Sequence, residues 1–233
     1  MGIEDKLLLI RNYNLWSHLS DEEYEELNLV HRFMEARKGE FIYFAPEHLN
    51  KLFFIKEGYI RLGYVNDKGE EVVREIIREG EIFGQFTLER QDMPGEFAQA
   101  HKMDVSLCAF NIVDFEKLLS QKPQLAIGYT RHVGNRLRQV ENRLTNLLHK
   151  DVRVRLLGFL VQLATNQHND SDHGAVEMDN FLTHEEIARM IASSRQTVTT
   201  LMGQFEAEGL IAWDRSIIRI PDVKKLQKAM GVA

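Results

Sequence analysis

The sequence predicts an α+β chain in three successive parts: an antiparallel β-roll (jelly-roll), a long helix, and a winged helix-turn-helix. Three observations lead there. Glycines from Gly39 to Gly95 punctuate short segments rich in Phe, Ile, Val and Tyr, the texture of many short strands. An apolar heptad then runs from Ala126 to Leu147. Finally, two short capped helical patterns, a tight turn and two strand-like segments fill Phe181 to Ile220.

The composition agrees with a globular protein. The chain has 233 residues, 44% hydrophobic and 27% charged, enough for one large domain or two small ones. No run approaches the roughly 18 apolar residues of a membrane span, and no signal peptide opens the sequence, so a cytoplasmic protein without a membrane partner is expected. Cys108 stands alone and cannot form an intrachain disulfide or a multi-cysteine metal site. The net charge is −6; residues 1–150 carry 20 Lys and Arg against 24 Asp and Glu, and residues 151–233 carry 9 against 11. Neither part is basic overall, so nucleic-acid binding must rest on locally placed residues.

Residues 1–35 read as helical: Ser20 with Glu23 forms a capping box, and Leu27, Val30 and Met34 recur at helical spacing. From Arg37 to Phe110 the expected strands are Phe41–Phe44, Leu52–Ile55, Tyr59–Val65, Val72–Ile77 and Val105–Phe110. Asn66-Asp67-Lys68-Gly69 is a hairpin turn between two of them. Over residues 124–149, Ala126, Thr130, Val133, Leu137, Val140, Leu144 and Leu147 are spaced 4, 3, 4, 3, 4, 3, an a/d seam. A helix of that length is about 40 Å long, more than a small roll can cover. The seam therefore predicts a homodimer through Val133, Leu137, Val140, Leu144 and Leu147. Asp151 interrupts the pattern. A further helix follows on Val154, Leu157, Phe159, Leu160 and Leu163, ending in the polar stretch 166–174. The expected organisation is a roll domain with N-terminal helices (1–123), a dimerisation helix and its end (124–150), and a winged helix-turn-helix domain (151–233).

The C-terminal part carries the function. Thr183 and Glu186 form a capping box, Ala192-Ser193-Ser194 a turn, and Ser193 with Gln196 a second capping box for a helix ended by Gly209. Leu210–Trp213 and Ile217–Ile220 read as the wing. In the second helix Val198, Leu201, Met202 and Phe205 face inward. Arg195, Gln196, Thr199 and Thr200 share another face near its N-terminus, with no acidic residue among them. That is what major-groove reading requires. Double-stranded DNA is the expected partner, bound at a pseudo-palindromic operator. Arg195 would contact guanine or phosphate, and Gln196 a base edge. Thr183, Ser193, Ser194, Thr197, Thr199, Thr200 and the wing's Arg215 complete the candidate DNA-binding set.

Leu182-Thr183-His184-Glu185-Glu186-Ile187-Ala188 followed by Ser194-Arg195-Gln196-Thr197-Val198-Thr199 resembles the helix-turn-helix signature of the cyclic-AMP receptor protein/Fnr (Crp/Fnr) family of bacterial transcription regulators. Gly80-Glu81-Ile82-Phe83-Gly84 and Glu57-Gly58-Tyr59-Ile60-Arg61-Leu62 resemble that family's roll motifs. The resemblance covers about residues 15–225. It implies a cyclic-nucleotide-binding-like sensory roll, a dimerisation helix with a hinge after it, regulation of transcription without enzymatic activity, and RNA polymerase as a partner. It also implies an effector pocket at Gly80, Glu81, Gly84, Glu96, Phe97, Val140 and Glu141. Family members often carry Glu at the position of Gln196 and Arg at that of Thr200, so a different half-site is expected.

The pocket departs from the cyclic-AMP-binding pattern. Where those members carry an Arg-Ser pair for the phosphate, this chain reads Pro94-Gly95-Glu96-Phe97-Ala98-Gln99-Ala100. A carboxylate beside a phosphate is repulsive by about 4 kcal/mol at ~4 Å and an effective dielectric near 20. Val140 and Glu141 stand where adenine-contacting hydroxyls occur. Cyclic AMP is therefore disfavoured, and one cysteine cannot hold an iron–sulfur cluster. Haem stays open, with none of His31, His101, His132 and His149 singled out by spacing. No cofactor or metal is identifiable. The competing reading is a cupin-like, small-molecule-binding roll whose C-terminal domain serves assembly; His48 and His101 as the only histidines between 37 and 115 argue against it.

Overall fold

In the computed structural model the described residues are 31–44, 50–86, 95–165 and 174–231. They divide into two compact units, one ending at Gln139 and the other beginning at Val140. The capping box at Ser20 and the pattern through Leu27 and Val30 lie outside the described residues.

The first unit is the roll. Its strands are β1 (His31–Ala36), β2 (Phe41–Phe44), β3 (Lys51–Val65), β4 (Glu71–Arg78), β5 (Ile82–Gly84) and β6 (Glu96–Asn111). All described pairings are antiparallel: β1, β3 and β2 lie on β6, while β4 and β5 pair with β3. Two expectations change here. Residues 31–36 form a strand rather than the end of a helix, because β6 offers them a full ladder from His31↔Phe110 to Ala36↔Val105. Tertiary pairing overrides a short helical spacing. The two segments Leu52–Ile55 and Tyr59–Val65 are one strand, bent rather than broken, with register shifts on either side of Glu57. Gly58 makes the bend possible: its φ is +93°, and a Cβ there would lie 2.9 Å from the Asp104 carbonyl oxygen.

Strand alternation sorts the apolar side chains into two clusters. One gathers Phe53, Ile55, Ile60, Leu62, Ile77, Phe83, Ala98, Ala100, Val105 and Leu107 between the strands. The other gathers Leu52, Phe54, Cys108, Phe110, Ile112, Phe115 and Leu118 with Leu125 and Tyr129. It is roofed by α1 (Ile112–Gln121), which Asn111 caps by accepting from the Val113 N–H, and by the start of α2 (Pro123–His149). Pro123 suits a first helical turn, where its missing N–H has no partner to lose. The Tyr129 hydroxyl donates to the Phe86 carbonyl at 2.7 Å. The α2 helix therefore begins as part of the roll's core. Cys108, buried among these residues, has its thiol pushed up to about 11 by burial, so it is a packing residue and not a thiolate.

The second unit contains the rest of α2, then α3 (Val152–Thr165), β7 (Val176–Asp179), α4 (His184–Met190), α5 (Arg195–Ala207), β8 (Ala212–Trp213), β9 (Ile217–Ile220) and α6 (Val223–Ala229). Asp151 ends the long helix and starts the next, its side chain accepting from the Val154 N–H at 2.8 Å. Leu156, Leu157 and Leu160 of α3 are fully buried with Ile187, Val198, Met202, Phe205, Ile218 and Leu226. The wing has three strands, order β7–β9–β8. The strand β7 and the helix α6 were not expected from the sequence.

Candidate nucleic-acid interface

The helix pair α4–α5 is built by local chemistry. Thr183 Oγ1 accepts from the Glu186 N–H while the Glu186 carboxylate accepts from the Thr183 N–H at 2.7 Å, the reciprocal capping box that the sequence predicts. Ile191 and Ala192 then turn the chain, and the Ser193 N–H donates to the Ala188 carbonyl at 2.8 Å. The second cap differs from the expectation. Ser194, not Ser193, is the N-cap of α5, extended at φ −91° and ψ 150°, and its hydroxyl accepts from the Thr197 N–H. Because the Ser193 N–H closes the preceding turn, the helix begins one residue later and no box with Gln196 forms. At the far end Gly209 (φ +64°) takes the left-handed position. Its N–H donates to Glu206 and that of Leu210 to Phe205, closing the helix in a Schellman arrangement.

Val198, Met202 and Phe205 are buried, so the opposite face of α5 is outward. Arg195, Gln196, Thr199 and Thr200 are all exposed, and the first turn holds no acidic residue. The positive end of the helix dipole and the Arg195 guanidinium thus share one surface. Several hydroxyls of the candidate set also work inside the motif: Ser194 on its cap, Thr199 on the Arg195 carbonyl, and Thr200 on that of Gln196. Thr183 and Ser194 are exposed, Ser193 and Thr197 partly buried, and Arg215 exposed in the wing turn. That turn is tightened by Asp214, which accepts from Ser216 and Ile217; these bonds pull its pKa below the usual carboxylate value.

The sequence reading missed His184. Its Nδ1 lies 2.9 Å from Thr199 Oγ1, whose own hydrogen goes to the Arg195 carbonyl, so Nδ1 carries the proton. The ring also leans on Trp213, centroids 5.9 Å apart, and its Nε2 is buried without a partner. Burial, and then the Arg195 charge, lower its pKa, while Glu206 opposes them. A neutral imidazole thus orients Thr199 and braces the wing strand. The only signal was its place in the first helical turn.

In the roll, the residues of the expected pocket have different partners. Glu96 is 6% exposed; its Oε1 accepts from Arg74 at 3.0 Å and from the Tyr43 hydroxyl at 3.2 Å, while Oε2 has no partner. Phe97 points to the other face of the strand, packed with Phe41 and Phe44 and under the Arg61 guanidinium. Glu81 accepts from the Arg78 N–H at 2.9 Å, and burial raises its pKa to about 7. Close by, Arg136 clamps Glu75 with two hydrogen bonds. Gly80 holds positive φ in the turn before β5, and Gly84 holds it at the end of that strand. Val140 and Glu141 belong to the second unit and are exposed. Among the described residues, no group of three His, Cys, Asp or Glu could hold a metal ion, and no helix is long and apolar enough to cross a membrane.

Comparison with known proteins accords with this architecture. Residues 33–122 match the family model of the cyclic nucleotide-binding domain, and residues 154–229 that of the Crp-like helix-turn-helix domain. The chain is 29% identical to a global nitrogen regulator of Synechococcus elongatus over 80% of its own length and 84% of the relative's. It is 24% identical to a CRP-like cAMP-activated global transcriptional regulator of Mycobacterium tuberculosis, over 82% and 84%. Among solved structures it is similar to a CooA mutant from Carboxydothermus hydrogenoformans, with a TM-score of 0.69 at 25% identity over 96% and 95% of the two chains. FixK2 from Bradyrhizobium japonicum shares the fold, with a TM-score of 0.70 at 19% identity over 85% and 96%. With the roll and the helix-turn-helix each matched in sequence, the chain belongs to the Crp/Fnr family of transcription regulators.

Proposed function

We propose that the protein is a homodimeric, sequence-specific, cytoplasmic transcription regulator that reads a pseudo-palindromic DNA operator through α5 and works with RNA polymerase. One observation carries this reading. The capped N-terminal turn of α5 presents Arg195, Gln196 and Thr200 outward on a helix whose Val198, Met202 and Phe205 are buried. Arg195 supplies a charge-assisted contact to guanine or phosphate, Gln196 a bidentate contact best suited to adenine, and Thr183, Ser193, Ser194, Thr197 and Thr199 lie where phosphate contacts would fix register. The dimer reading is supported by Leu137, Val140 and Leu144 of the expected seam, each more than half exposed along α2, with Leu148 beside them; of the other expected seam residues, Val133 packs against the roll's core and Leu147 is half-buried.

The sensory roll works without cyclic AMP. Glu96 occupies the strand where a cyclic phosphate would need a cation, and the nearby arginines face carboxylates: Arg74 on Glu96 and Arg136 on Glu75. An added anion would have to break these pairs. A single cysteine cannot hold an iron–sulfur cluster, and haem stays open as an effector.

The test is a salt-dependent shift of duplex DNA by the purified protein, followed by selection of bound fragments from a random pool. The expected outcome is an inverted repeat with half-sites about one helical turn apart. Selection without any enriched sequence would overturn the reading. Calorimetric titration with cyclic AMP should give no heat at micromolar concentration, and micromolar binding would refute the sensor assignment.

A further inference from the structure

Two arginines sit at the carbonyl end of α4. Arg155, in the first turns of α3, divides its guanidinium among three carbonyl oxygens. Nε donates to Ile191 at 2.9 Å, Nη2 to Ala192 at 3.0 Å, and Nη1 to Lys150 at 2.8 Å. Arg143, near the end of α2, donates to the Met190 carbonyl at 2.8 Å. The carbonyls of residues 190, 191 and 192 are thus all bonded by groups from either side of the α2–α3 break.

The turn they hold is strained. Ala192 has φ +51°, one of two non-glycine residues at positive φ among the described residues. Such a conformation persists only where its surroundings over-determine it. Here the Ala192 carbonyl is bound by Arg155, and the next residue closes onto α4 through the Ser193 N–H. Ser194, one residue on, is the cap that starts α5. The other end of α5 is also tied to α3: Arg153 bonds both oxygens of the Glu208 carboxylate and lies over the Phe205 ring. The three bonds leave from three separate nitrogens of one planar fork, a spread that the single nitrogen of a lysine does not reproduce.

We propose that Arg155 is a positioning residue for DNA recognition: it ties the α2–α3 break to the Ile191–Ala192 turn, so that the two move as one and the seat of α5 follows the break. This rests on the reading of α5 as the recognition helix. Arg155 touches no base in this scheme and acts through the strained turn.

The test uses the full-length chain, its selected operator and a scrambled duplex of equal length. Arg155→Lys keeps the charge and loses the fork. It should weaken operator binding at least tenfold while scrambled-duplex binding stays within twofold. Adding Ala192→Gly, which allows positive φ without being held, should recover most of the lost ratio. A merely structural role would lower the melting temperature without this selective loss and rescue. An unchanged operator-to-scrambled ratio in Arg155→Lys, or no recovery in the double variant, overturns the proposal. So does failure of both variants to fold, shown by circular dichroism. A wild-type chain with no operator preference overturns the DNA-reading assignment itself, whereas a preference that Arg155→Lys retains overturns only the role of Arg155.

Discussion

Helix α5 and the roll use arginine in opposite ways. On α5, Arg195 stands exposed beside Gln196 and Thr200, with no acid in the first turn. In the roll, Arg61 is taken by Glu71 and Gln99, Arg74 by Glu96, and Arg136 by Glu75. An exposed, unopposed donor keeps its capacity for a partner outside the molecule, while a donor spent on a nearby carboxylate stabilises the fold or waits to be displaced. That is why the C-terminal unit discloses its partner class and the roll does not disclose an effector.

The comparison breaks most dramatically if the outward helix is left without its twin. Replacing Leu137 and Leu144 together with Lys puts four like charges into the proposed two-chain seam. Sedimentation should then show monomer, and operator affinity should fall at least 100-fold, since one half-site alone supplies too few contacts. An intact dimer would refute the seam. Next in size is Arg195→Ala, which removes a charge-assisted contact: about 2–3 kcal/mol on the operator, together with a shallower salt dependence. Gln196→Ala should cost roughly 1–3 kcal/mol and relax preference at one base pair per half-site, with little effect on non-specific binding. An unchanged base preference across an operator library would move specificity to Arg215 in the wing or to DNA deformability.

What was legible in the sequence follows the same division. The α4–α5 pair could be read because its signals are local: Thr183 and Glu186 sit within one turn, and Gly209 ends its helix by its own backbone freedom. The cap at Ser194 was misplaced by one residue. Two serines in a row are equivalent as sequence, and only the Ser193 N–H bond to Ala188 separates them. The roll was legible as short strands but not in its joins. Whether Ile55 and Tyr59 belong to one strand depends on β6 running past both, a contact across some fifty residues. The strand β1 was read as helix for the same reason. The pairing of Arg136 with Glu75, 61 residues apart, cannot be read from spacing at all.

The smallest expected effect is a contrast in pH response between the two units. Glu81, partly buried in the roll, has its pKa raised from 4.5 to about 7, chiefly by burial, with its bond from the Arg78 N–H opposing. A raised folded-state pKa means that its contribution to stability is full below about pH 4.5 and is lost as pH rises through about 7. Counting 1.36 kcal/mol per unit and discounting for solvent and the nearby Arg136, the loss is about 1–2 kcal/mol. His184 runs the other way. Burial and Arg195 depress its pKa, so its contribution is present above the ordinary histidine value and is lost as pH falls through the depressed one. Raising the pH from 5 to 8 should therefore weaken the roll through Glu81 and strengthen the winged-helix unit through His184. Hydrogen exchange, read separately on β3 and on α5 at both pH values, measures the two. Glu81→Gln should flatten the response of β3 alone, and His184→Gln that of α5 alone. If both elements gained protection together with rising pH and neither variant changed its own response, the charges that distinguish the two units would not be those of Glu81 and His184.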